Sequence, residues 1–396
     1  MSNLNQKRFY FDWAATAPPN RGIQKTFDNA MFFGNPSSMY AEGRAARSAL
    51  EQARNRCAAA LGAAADEIYF TSGATESNAI ILFSTLYRRA EGIEQAVLTS
   101  AAEHPSIIQN CAALERIGTP AYYMDIERHG GVSQEALERA LFKHTNTTVL
   151  ALMYVNNETG AVTNLHKLVK TARQKSVKKL HIHSDMTQAL GKLPVALRDL
   201  DIDSASFSAH KIGGPRGIGI LYTRKPVQAL YKGGGQERGI RPGTENTAGA
   251  FYLAEILDTL TPLLRENYAA AAKKMNALIA SLRSTGRCTI IPECRPPEAA
   301  EMPMEFPDIN FSPYILQAAF KNIPGEVMVR ALDDEGFAVS TGSACSGASK
   351  KRPVLKSMGL SDELALTSIR ISIGWDTELD DINALTEAVR RILKQI

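Results

Sequence analysis

The sequence predicts an α/β protein with a large domain, built on a mostly parallel sheet covered by helices, and a smaller α+β domain. Three observations lead to this fold class. Short apolar segments rich in β-forming residues alternate with helical segments through the N-terminal two-thirds of the chain. A long helical pattern then runs from Thr247 to Thr285, and shorter elements follow it. We place the large domain at residues 18–260 and the small domain at residues 1–17 and 261–396.

The strand-like segments of the first part are short and apolar. In chain order they are EIYFTS, AVLTS, TVLALMYV, LHIHSD, SASFSAH and GIGILY. Helical stretches such as EGRAARSALEQARNRCAAALG and NLHKLVKTARQKSVKK accompany them. This alternation is typical of a parallel sheet with helices on its faces. In such a sheet the ligand binds at the carboxyl ends of the strands, so the residues just after each strand are the first candidates for a site.

The C-terminal part contains shorter segments, CTIIP, DINFS, EVMVRALDDEGF, FAVSTGSACSG and SIRISIG. Its last segment, TELDDINALTEAVRRILKQI, predicts an amphipathic helix because its apolar residues fall on one face. Those residues are Leu379, Ile382, Leu385, Val389, Ile392 and Leu393. We find no internal repeat and no low-complexity tract.

Composition excludes several classes of protein. The chain has 396 residues, 44% of them hydrophobic, and a net charge of +4, which is too small to indicate nucleic acid or an anionic membrane as a direct partner. The first residues lack the apolar core of a secretory signal, and no apolar run is long enough for a membrane helix. The five scattered cysteines include no CxxC pair, which indicates reduced cytosolic thiols rather than structural zinc. We therefore expect a cytoplasmic protein.

The segment TSGATESN follows the strand-like EIYF and precedes an apolar helical run. Gly73 permits a tight turn, and Ala74 and Thr75 then offer free backbone N–H groups at a helix start, where the helix dipole favours an anion. A phosphate site is one interpretation. An ordinary N-cap with Glu76 in the first turn explains the same residues equally well.

Polar residues also follow two other strands. His104 comes just after AVLTS, and taken alone it is best explained as an ordinary loop histidine. Asn156, Asn157 and Glu158 follow TVLALMYV. Three polar residues at the end of a buried strand suit a site that faces a ligand, although Gly160 makes a simple turn equally compatible.

The segment HIHSDMTQALGK allows two interpretations. His181, His183 and Asp185 share one face of a strand because side chains alternate, and such a set can ligate zinc or another divalent metal. Alternatively, only Asp185, at the strand end, is functional and the histidines pack. A metal hydrolase needs ligands at other strand ends, where only His104 and His210 are available. The sequence therefore favours the second interpretation.

Lys211 follows the strand-like segment SFSAH, and glycines come at once after it. A lysine there is either a solvated charge at the rim or a reactive amine, because a buried lysine readily loses its proton and forms Schiff bases. With Asp185 aimed at a heteroaromatic nitrogen and a phosphate site at TSGATESN, it completes the set that a pyridoxal phosphate enzyme requires. Ser208 and His210 flank the lysine and can add phosphate contacts. The order of these motifs along the chain, together with their positions at strand ends, predicts pyridoxal 5′-phosphate as the cofactor.

Three later segments carry further candidates. KGGGQERGIRPGTENT lacks the P-loop pattern, but Arg238, Arg241 and Thr244 give it the capacity to bind anions. In SIRISIG, Arg370 alternates with isoleucines and suits bidentate capture of a substrate carboxylate, unless it is a solubilising charge on an edge strand. In STGSACSGAS, Cys345 lies among small residues with basic residues nearby, which suits a mobile thiolate nucleophile; an incidental loop cysteine is the alternative.

These motifs together resemble the cysteine desulfurases, in the group that contains the nitrogen-fixation and housekeeping iron–sulfur enzymes. Those proteins are fold-type I pyridoxal phosphate enzymes of the class V aminotransferase superfamily. The resemblance covers nearly the whole chain. It rests on the ordered segments YFDWAATAP, FGNPSS, TSGATESN, EHPSI, VNNETGAV, HSDMTQALGKLP, SFSAHKIGGPRGIGILY, GGGQERGIRPGTENT, STGSACSGAS and SIRISIG.

The resemblance implies a role for each cofactor residue. Lys211 forms the Schiff base, Asp185 pairs with the pyridine nitrogen, and Gln188 contacts the ring hydroxyl. His104 stacks on the ring and moves protons. The implied phosphate ligands are Ala74, Thr75, Ser208 and His210, with Thr244 reaching in from the partner subunit of a homodimer.

The resemblance also implies an activity. Asn157, which borders the cofactor, and Arg370 hold the substrate carboxylate, and Cys345 accepts the sulfur. L-cysteine gives L-alanine and a persulfide, whose sulfur passes to an iron–sulfur scaffold protein or a tRNA-thiolation relay. A selenocysteine lyase, or another enzyme of the class V aminotransferase fold, is the alternative. No catalytic metal is expected.

The chain departs from the family pattern at three places. Ala209 stands where glycine is common, Met186 stands where alanine is common, and a basic segment, SGASKKRPVLKSMGL, follows Cys345 where relatives often have an acidic element. These differences leave the expected cofactor unchanged and leave the acceptor protein open.

Overall fold

The computed structural model describes residues 8–20, 33–90, 92–297, 310–342 and 352–395. Within these ranges the strands are β1 (Phe9–Tyr10), β2 (Ile68–Thr71), β3 (Val97–Ser100), β4 (Ala121–Met124), β5 (Val149–Met153), β6 (His181–Asp185), β7 (Ser204–Ser208), β8 (Gly219–Thr223), β9 (Cys288–Ile291), β10 (Ile315–Phe320), β11 (Phe337–Ala338) and β12 (Ser368–Ser372).

The described α-helices alternate with these strands in the first part of the chain and cluster in the second. They are α1 (Ala41–Leu61), α2 (Ala74–Ala90), α3 (Pro105–Arg116), α4 (Gln134–Lys143), α5 (Leu165–Lys175), α6 (Thr247–Leu260), α7 (Leu264–Arg283), α8 (Gly325–Asp334), α9 (Pro353–Ser357), α10 (Asp362–Leu366) and α11 (Leu379–Gln395). None of them is long and apolar enough to cross a membrane.

A seven-stranded sheet forms the centre of the fold, in the order β2-β8-β7-β6-β5-β3-β4. Only β8 runs against its neighbours, and the other adjacent pairs are parallel. Strands β5 and β7 are buried along their whole length, as expected for a sheet covered on both faces. The prediction of a mostly parallel sheet is therefore confirmed.

Alternation along β5 shows how both faces are covered. Leu150 and Leu152 pack in a cluster with Leu168 of α5. Val149 and Ala151 point the other way and pack in a second cluster, which includes Leu82 of α2 and Ile107 of α3. The strand register aligns the carboxyl ends of β5, β6 and β7, because Met153 pairs with Asp185 and Asp185 pairs with Ser206.

The C-terminal part builds two smaller sheets. Strands β9, β10 and β12 form an antiparallel sheet, and β1 pairs in parallel with β11. The start of the described chain therefore joins the C-terminal elements, in line with the predicted grouping of residues 1–17 with 261–396. The boundaries of the two domains stay a prediction. Helix α11 buries the predicted apolar face except Leu379, which is half-buried.

The long helical pattern from Thr247 to Thr285 is divided in the structure. Helix α6 ends at Leu260 and α7 begins at Leu264. Pro262 lies between them, and a proline inside a helix removes a backbone donor and clashes with the preceding turn. The predicted helical pattern is therefore formed by two helices with a short break between them.

Candidate active site

A cavity of about 270 Å³ opens at the carboxyl ends of β5, β6 and β7. Ten residues predicted from the sequence line it: Ala74, Thr75, His104, Asn157, Asp185, Gln188, Ser208, His210, Lys211 and Arg370. They come from at least six separate segments of the chain. The topology brings them together because parallel strands present their carboxyl ends at one edge of the sheet.

Lys211 lies in a short 3₁₀ turn, Ala209–Ile212, directly after β7. Its Nζ donates to the carbonyl oxygen of Ala14 at 2.7 Å and to that of Ala15 at 2.8 Å. The amine is thus held at the cavity wall by the N-terminal segment. Because Lys211 also lines the cavity, its amine is positioned to act on a ligand there.

Asp185 ends β6 and is 5% exposed. Its Oδ1 accepts from the backbone N–H of Thr187 at 3.0 Å, and its Oδ2 accepts from Asn78 Nδ2 at 2.9 Å. Gln188 follows, and its Nε2 donates to the Ala14 carbonyl at 2.8 Å. A buried carboxylate with fixed orientation suits a partner that presents an N–H, such as a protonated heteroaromatic ring.

The turn between β2 and α2 forms the opposite end of the cavity. Gly73 has φ of +150°, and a Cβ there would lie 3.0 Å from Ser208 Oγ. The backbone N–H of Ala74 donates to Ser208 Oγ at 3.1 Å. Glu76, in the first turn, accepts from the backbone N–H of Ser72 through Oε2 at 2.5 Å and pairs with Arg241 through Oε1 at 3.3 Å, and Ala74 and Thr75, not Glu76, line the cavity. The start of a 17-residue helix is thus accessible to an anion.

Two histidines of the cavity have lowered pKa values. Burial, and then the neighbouring Lys211, lower the pKa of His210 to about 4. Burial is also the main cause that lowers the pKa of His104. His104 caps helix α3, and its Nδ1 accepts from the backbone N–H of Ser106 at 3.1 Å. Both rings are therefore neutral near pH 7, and each can donate one hydrogen bond without carrying a charge.

Arg370 reaches the cavity from β12 and is 2% exposed. Its Nη1 donates to the carbonyl of Asn157 at 2.9 Å and to that of Gly342 at 3.2 Å. Its Nη2 pairs with Asp12 Oδ1 at 2.7 Å. The buried Nε has no hydrogen-bond partner among the described atoms, so the guanidinium keeps a donor for a further acceptor such as a carboxylate. Arg370 is therefore not a solvent-exposed charge on an edge strand.

Taken together, the cavity fits pyridoxal 5′-phosphate. Backbone N–H groups and a hydroxyl can hold a phosphate at one end, a buried carboxylate can hold a ring N–H at the other, and Lys211 lines the same cavity. The hydroxyl of Ser206, which is buried on β7 beside Asp185, has no hydrogen-bond partner among the described residues.

Among the residues to which the resemblance gives a role, two are not among those that line the cavity. Thr244 is exposed, and no contact to the cavity is seen within the one chain. Cys345 lies outside the described residues, as do Lys350 and Lys351. Both assignments therefore stay predictions.

The metal alternative finds no support in the geometry. His183 Nε2 is 2.9 Å from Asn78 Oδ1 and His183 Nδ1 is 2.8 Å from Ser204 Oγ, so hydrogen bonds engage both ring nitrogens. His181 Nε2 is 2.7 Å from the same Ser204 Oγ. In the part of the chain that the structure covers, no three His, Cys, Asp or Glu side chains form a group that could hold a metal ion.

Three residues of the site escaped the sequence analysis: Asp12, Asn78 and Lys192. Asp12 and Asn78 belong to quoted motifs, YFDWAATAP and TSGATESN, but neither comes directly after a strand predicted from the sequence. Lys192 lies one turn beyond Gln188, is 1% exposed, and has its Nζ 3.5 Å from Gln188 Oε1. An i, i+4 spacing of a glutamine and a lysine was the available signal for that contact.

Comparison with known proteins gives consistent matches over the whole chain. The family model for class-V aminotransferases matches residues 9–385. A cysteine desulfurase, IscS of Dictyoglomus turgidum, is 33% identical over 396 residues, which cover 99% of this chain and 96% of the relative.

Solved structures give the same result. One described as a NifS-like protein has a TM-score of 0.87 at 30% identity and covers 98% of this chain and 100% of its own. Another, described as SspA in complex with cysteine, has a TM-score of 0.77 at 28% identity and covers 93% of this chain and 99% of its own.

Proposed function

The chain belongs to the cysteine desulfurases of the class-V aminotransferase family, and from that membership we propose which of its residues perform the reaction. The enzyme removes sulfur from L-cysteine, releases L-alanine and keeps the sulfur as a persulfide. Members of this family use pyridoxal 5′-phosphate, which when bound acts as an electron sink for the substrate α-carbon. The assignments below are our proposal for this chain.

The proposed cofactor residues follow the two ends of the cavity. Ala74, Thr75, Ser208 and His210 hold the phosphate, with Thr244 supplied by the second copy in a homodimer. Lys211 attaches the cofactor covalently, and Asp185 binds the ring nitrogen. Gln188 and Asn157 border the ring, and His104 packs against it. The neutral state of His210 and His104 suits them to donate hydrogen bonds in a site that already holds cations.

The proposed substrate residues lie on the C-terminal side of the cavity. Arg370 binds the substrate carboxylate with its unpaired Nε and shared Nη donors, and Asn157 helps to orient it. Lys211 holds and moves the proton at the substrate α-carbon, because it lines the same cavity as these groups and Asp185.

Cys345 is proposed as the nucleophile that takes the sulfur. Its thiolate attacks the substrate Sγ, so that a sulfur–sulfur bond forms as the substrate Cβ–Sγ bond breaks. The electron pair left on the carbon side is protonated, and alanine leaves. A thiolate is required because a neutral thiol is a poor nucleophile, and the basic residues that follow Cys345 in the sequence favour it.

One observation carries the proposal: a single cavity is lined by Lys211 from the turn after β7, Asp185 from β6 and Arg370 from β12, which have the chemistry of amine, ring partner and carboxylate binder. The acceptor is proposed to be a sulfur-carrying scaffold for iron–sulfur clusters or for tRNA thiolation. The basic segment after Cys345 distinguishes this chain from relatives with an acidic segment there and bears on which acceptor docks.

The test adds L-cysteine and a reductant to the purified protein and follows alanine and sulfide together. We expect equal amounts of both, and we expect Cys345→Ala to lose both while the cofactor absorption remains. Cys294→Ala is the matched control, because Cys294 is an exposed cysteine outside the cavity. Alanine and sulfide at the wild-type rate from Cys345→Ala would remove Cys345 from the mechanism. A rate on selenocysteine far above that on cysteine would instead identify a selenocysteine lyase.

A further inference from the structure

Asn78 connects two residues of the cavity that do not touch each other. It lies on α2, is fully buried, and does not itself line the cavity. Its Nδ2 is 2.9 Å from Asp185 Oδ2 and 2.8 Å from Ser106 Oγ. Ser106 Oγ in turn lies 2.8 Å from His104 Nδ1. One amide nitrogen therefore joins the carboxylate at one wall of the cavity to the imidazole at another.

Hydrogen-bond chemistry fixes which atoms donate and which accept in the contacts of Asn78 with Asp185 and His183. A carboxylate oxygen accepts, so the Asn78 atom that faces Asp185 is the amide nitrogen. The Asn78 oxygen then faces His183 Nε2, which must carry a hydrogen. A neutral imidazole has one N–H, so His183 Nδ1 accepts from the hydroxyl of Ser204. Burial, and next the neighbouring His181, lower the pKa of His183 and keep it neutral.

The donors and acceptors in the branch from Asn78 through Ser106 to His104 are fixed in the same way. The second N–H of Asn78 donates to Ser106 Oγ, so the hydroxyl hydrogen of Ser106 is directed to His104 Nδ1. The backbone N–H of Ser106 also points at His104 Nδ1, at 3.1 Å. With two donors facing Nδ1, the hydrogen of the neutral ring resides on Nε2. Protonation of Nδ1 would place an N–H against the backbone N–H of Ser106.

We infer that Asn78 is a positioning residue of the reaction, which sets the orientation of the Asp185 carboxylate and, through Ser106, the Nε2–H form of His104. The inference rests on the proposed function, because it assigns Asn78 a role through Asp185 and His104. All three polar contacts of the Asn78 side chain go to this network, and none goes to helix backbone.

The network gives His181 and His183, on strand β6, a role near the site that requires no metal ion. His183 orients the Asn78 amide by donating to its oxygen, and Ser204, shared with His181, orients His183. The charged groups that act on His104 are Asp185, which raises its pKa, and Lys211, which lowers it, and both contribute less than burial. The amide of Asn78 adds no charge, so it acts on His104 only through the direction of the Ser106 hydroxyl.

The test uses the purified holoenzyme with ¹⁵N-labelled histidine, of which the chain has seven. In the wild type, NMR should show His104 with an unprotonated Nδ1 and a hydrogen on Nε2. In Asn78→Ala, the Ser106 hydroxyl is free to rotate, so the pKa of His104 should rise. Loss of a hydrogen bond to a charged carboxylate should also move the pH midpoint of the visible cofactor band by about one unit.

Two variants separate positioning from general damage. Ser106→Ala interrupts only the branch to His104, so it should change the His104 signal and leave the midpoint of the cofactor band in place. Asn110→Ala is the matched control, since the Asn110 amide donates at 2.6 Å to the Ser106 backbone carbonyl and contacts neither Asp185 nor His104. It should move neither signal.

Either of two results would overturn the inference: a hydrogen on His104 Nδ1 in the wild type, or an Asn78→Ala protein whose two signals match those of Asn110→Ala. If Asn78→Ala does not fold, the wild-type spectrum and the Ser106→Ala pair still decide. A preparation that lacks the cofactor band altogether would contradict the proposed function instead, which keeps the two failures distinct.

Discussion

Arg370 is already paired with a carboxylate within the chain. Asp12 Oδ1 lies 2.7 Å from Nη2, and the carbonyls of Asn157 and Gly342 occupy Nη1. These contacts hold the guanidinium plane in place before a substrate arrives. However, the negative charge of Asp12 weakens the attraction between Arg370 and a second carboxylate.

Arg370→Lys should raise the KM for L-cysteine about tenfold to a hundredfold, because a lysine cannot form the planar fork that binds a carboxylate. Asp12→Asn should lower KM, since the amide oxygen keeps the contact to Nη2 and the competing charge is gone. Steady-state kinetics on both variants, with the cofactor band as the control for folding, provide the measurement. An unchanged KM in Arg370→Lys would contradict the assignment.

Lys192 is buried without an ion-pair partner among the described carboxylates. Burial, followed by the charges of Lys211 and Arg370, lowers its pKa from 10.5 to about 7. Between these two values the unfolded chain binds a proton that the folded chain does not. The free energy of unfolding therefore decreases as the pH falls from 10.5 toward 7. Below the folded pKa, the destabilisation caused by Lys192 has reached its full value and no longer changes with pH.

Lys192→Met should raise the thermal midpoint by a few degrees at neutral pH, because it keeps the volume and removes the amine. The gain should shrink as the pH rises toward the unfolded pKa. Scans at one fixed rate over this pH range provide the measurement, and Lys192→Arg, which retains a charge, should be less stable than wild type. A lower midpoint for Lys192→Met at neutral pH would show that its contact to Gln188 matters more than its burial.

Sequence reasoning found the residues that follow strands and missed those that support them. Lys211 and Asp185 were predicted because the end of a parallel strand is a defined place in the sequence. Asn78 meets a carboxylate 107 positions away, and Asp12 meets an arginine 358 positions away. Such pairs depend on tertiary packing, and a single sequence contains no periodic signal for them.

At the scale of elements, the turn from β2 into α2 sets the geometry of the phosphate end. Gly73 occupies a φ that side chains rarely adopt, and the Ser208 hydroxyl leaves 3.0 Å for a Cβ. The sequence alone left an N-cap and a phosphate site equally possible. The structure contains both features, because Glu76 accepts from Ser72 N just before the helix while Ala74, Thr75 and Ser208 line the cavity.

Gly73→Ala should weaken retention of the cofactor by about tenfold or more, since strain of 1–3 kcal/mol falls directly on the phosphate ligands. The ratio of cofactor absorption to protein absorption after dialysis measures it. Gly286→Ala is the matched control, because Gly286 also has a positive φ, of +64°, but meets nothing within 4 Å. Equal retention in both variants would indicate that the turn does not hold the phosphate.

A buried ion pair fastens the glycine-rich segment that contains Thr244. Arg54 Nη1 and Nη2 contact the two carboxylate oxygens of Glu237 at 2.7 and 2.8 Å, and the Glu237 carboxylate also accepts from Phe70 N at 2.8 Å. Side chains of both charged residues are about 3% exposed or less. The pair therefore ties this loop to helix α1 and strand β2.

Arg54→Met should destabilise the protein by about 3–5 kcal/mol, because it leaves the Glu237 carboxylate buried and unpaired. Arg56→Met, on the same helix, should cost about 1 kcal/mol or less, since the Arg56 pairs with Glu255 and Asp258 are partly exposed. Thermal midpoints of the two variants give the comparison. A similar loss in both would mean that the buried pair has no special role.

For the strands and helices too, only features set by local sequence patterns could be predicted. The alternation of strands and helices followed from local apolar patterns, so the parallel sheet could be predicted. The antiparallel direction of β8 could not, because direction depends on the chain between β7 and β8 rather than on the strand residues. The break between α6 and α7 follows from Pro262, which interrupts a stretch whose apolar pattern is helical on both sides.

For the molecule as a whole, residues 9–17 connect the sheet of the cofactor end to the C-terminal elements. Strand β1 pairs with β11, Asp12 pairs with Arg370, and the carbonyls of Ala14 and Ala15 bind Lys211. The segment thus contacts both the proposed cofactor lysine and the proposed substrate arginine. Its role was not predictable from composition, because its partners lie about 200 to 360 residues further along the chain.

The central claim is that sulfur leaves cysteine and is bound by Cys345. The most direct measurement is mass spectrometry of the purified protein after a single turnover with L-cysteine and no reductant. We expect the peptide that contains Cys345 to gain the mass of one sulfur atom, in an amount equal to the alanine released, and the peptide of Cys294 to remain unmodified. Alanine release with no added sulfur on Cys345, or with the sulfur on another cysteine, would contradict the account.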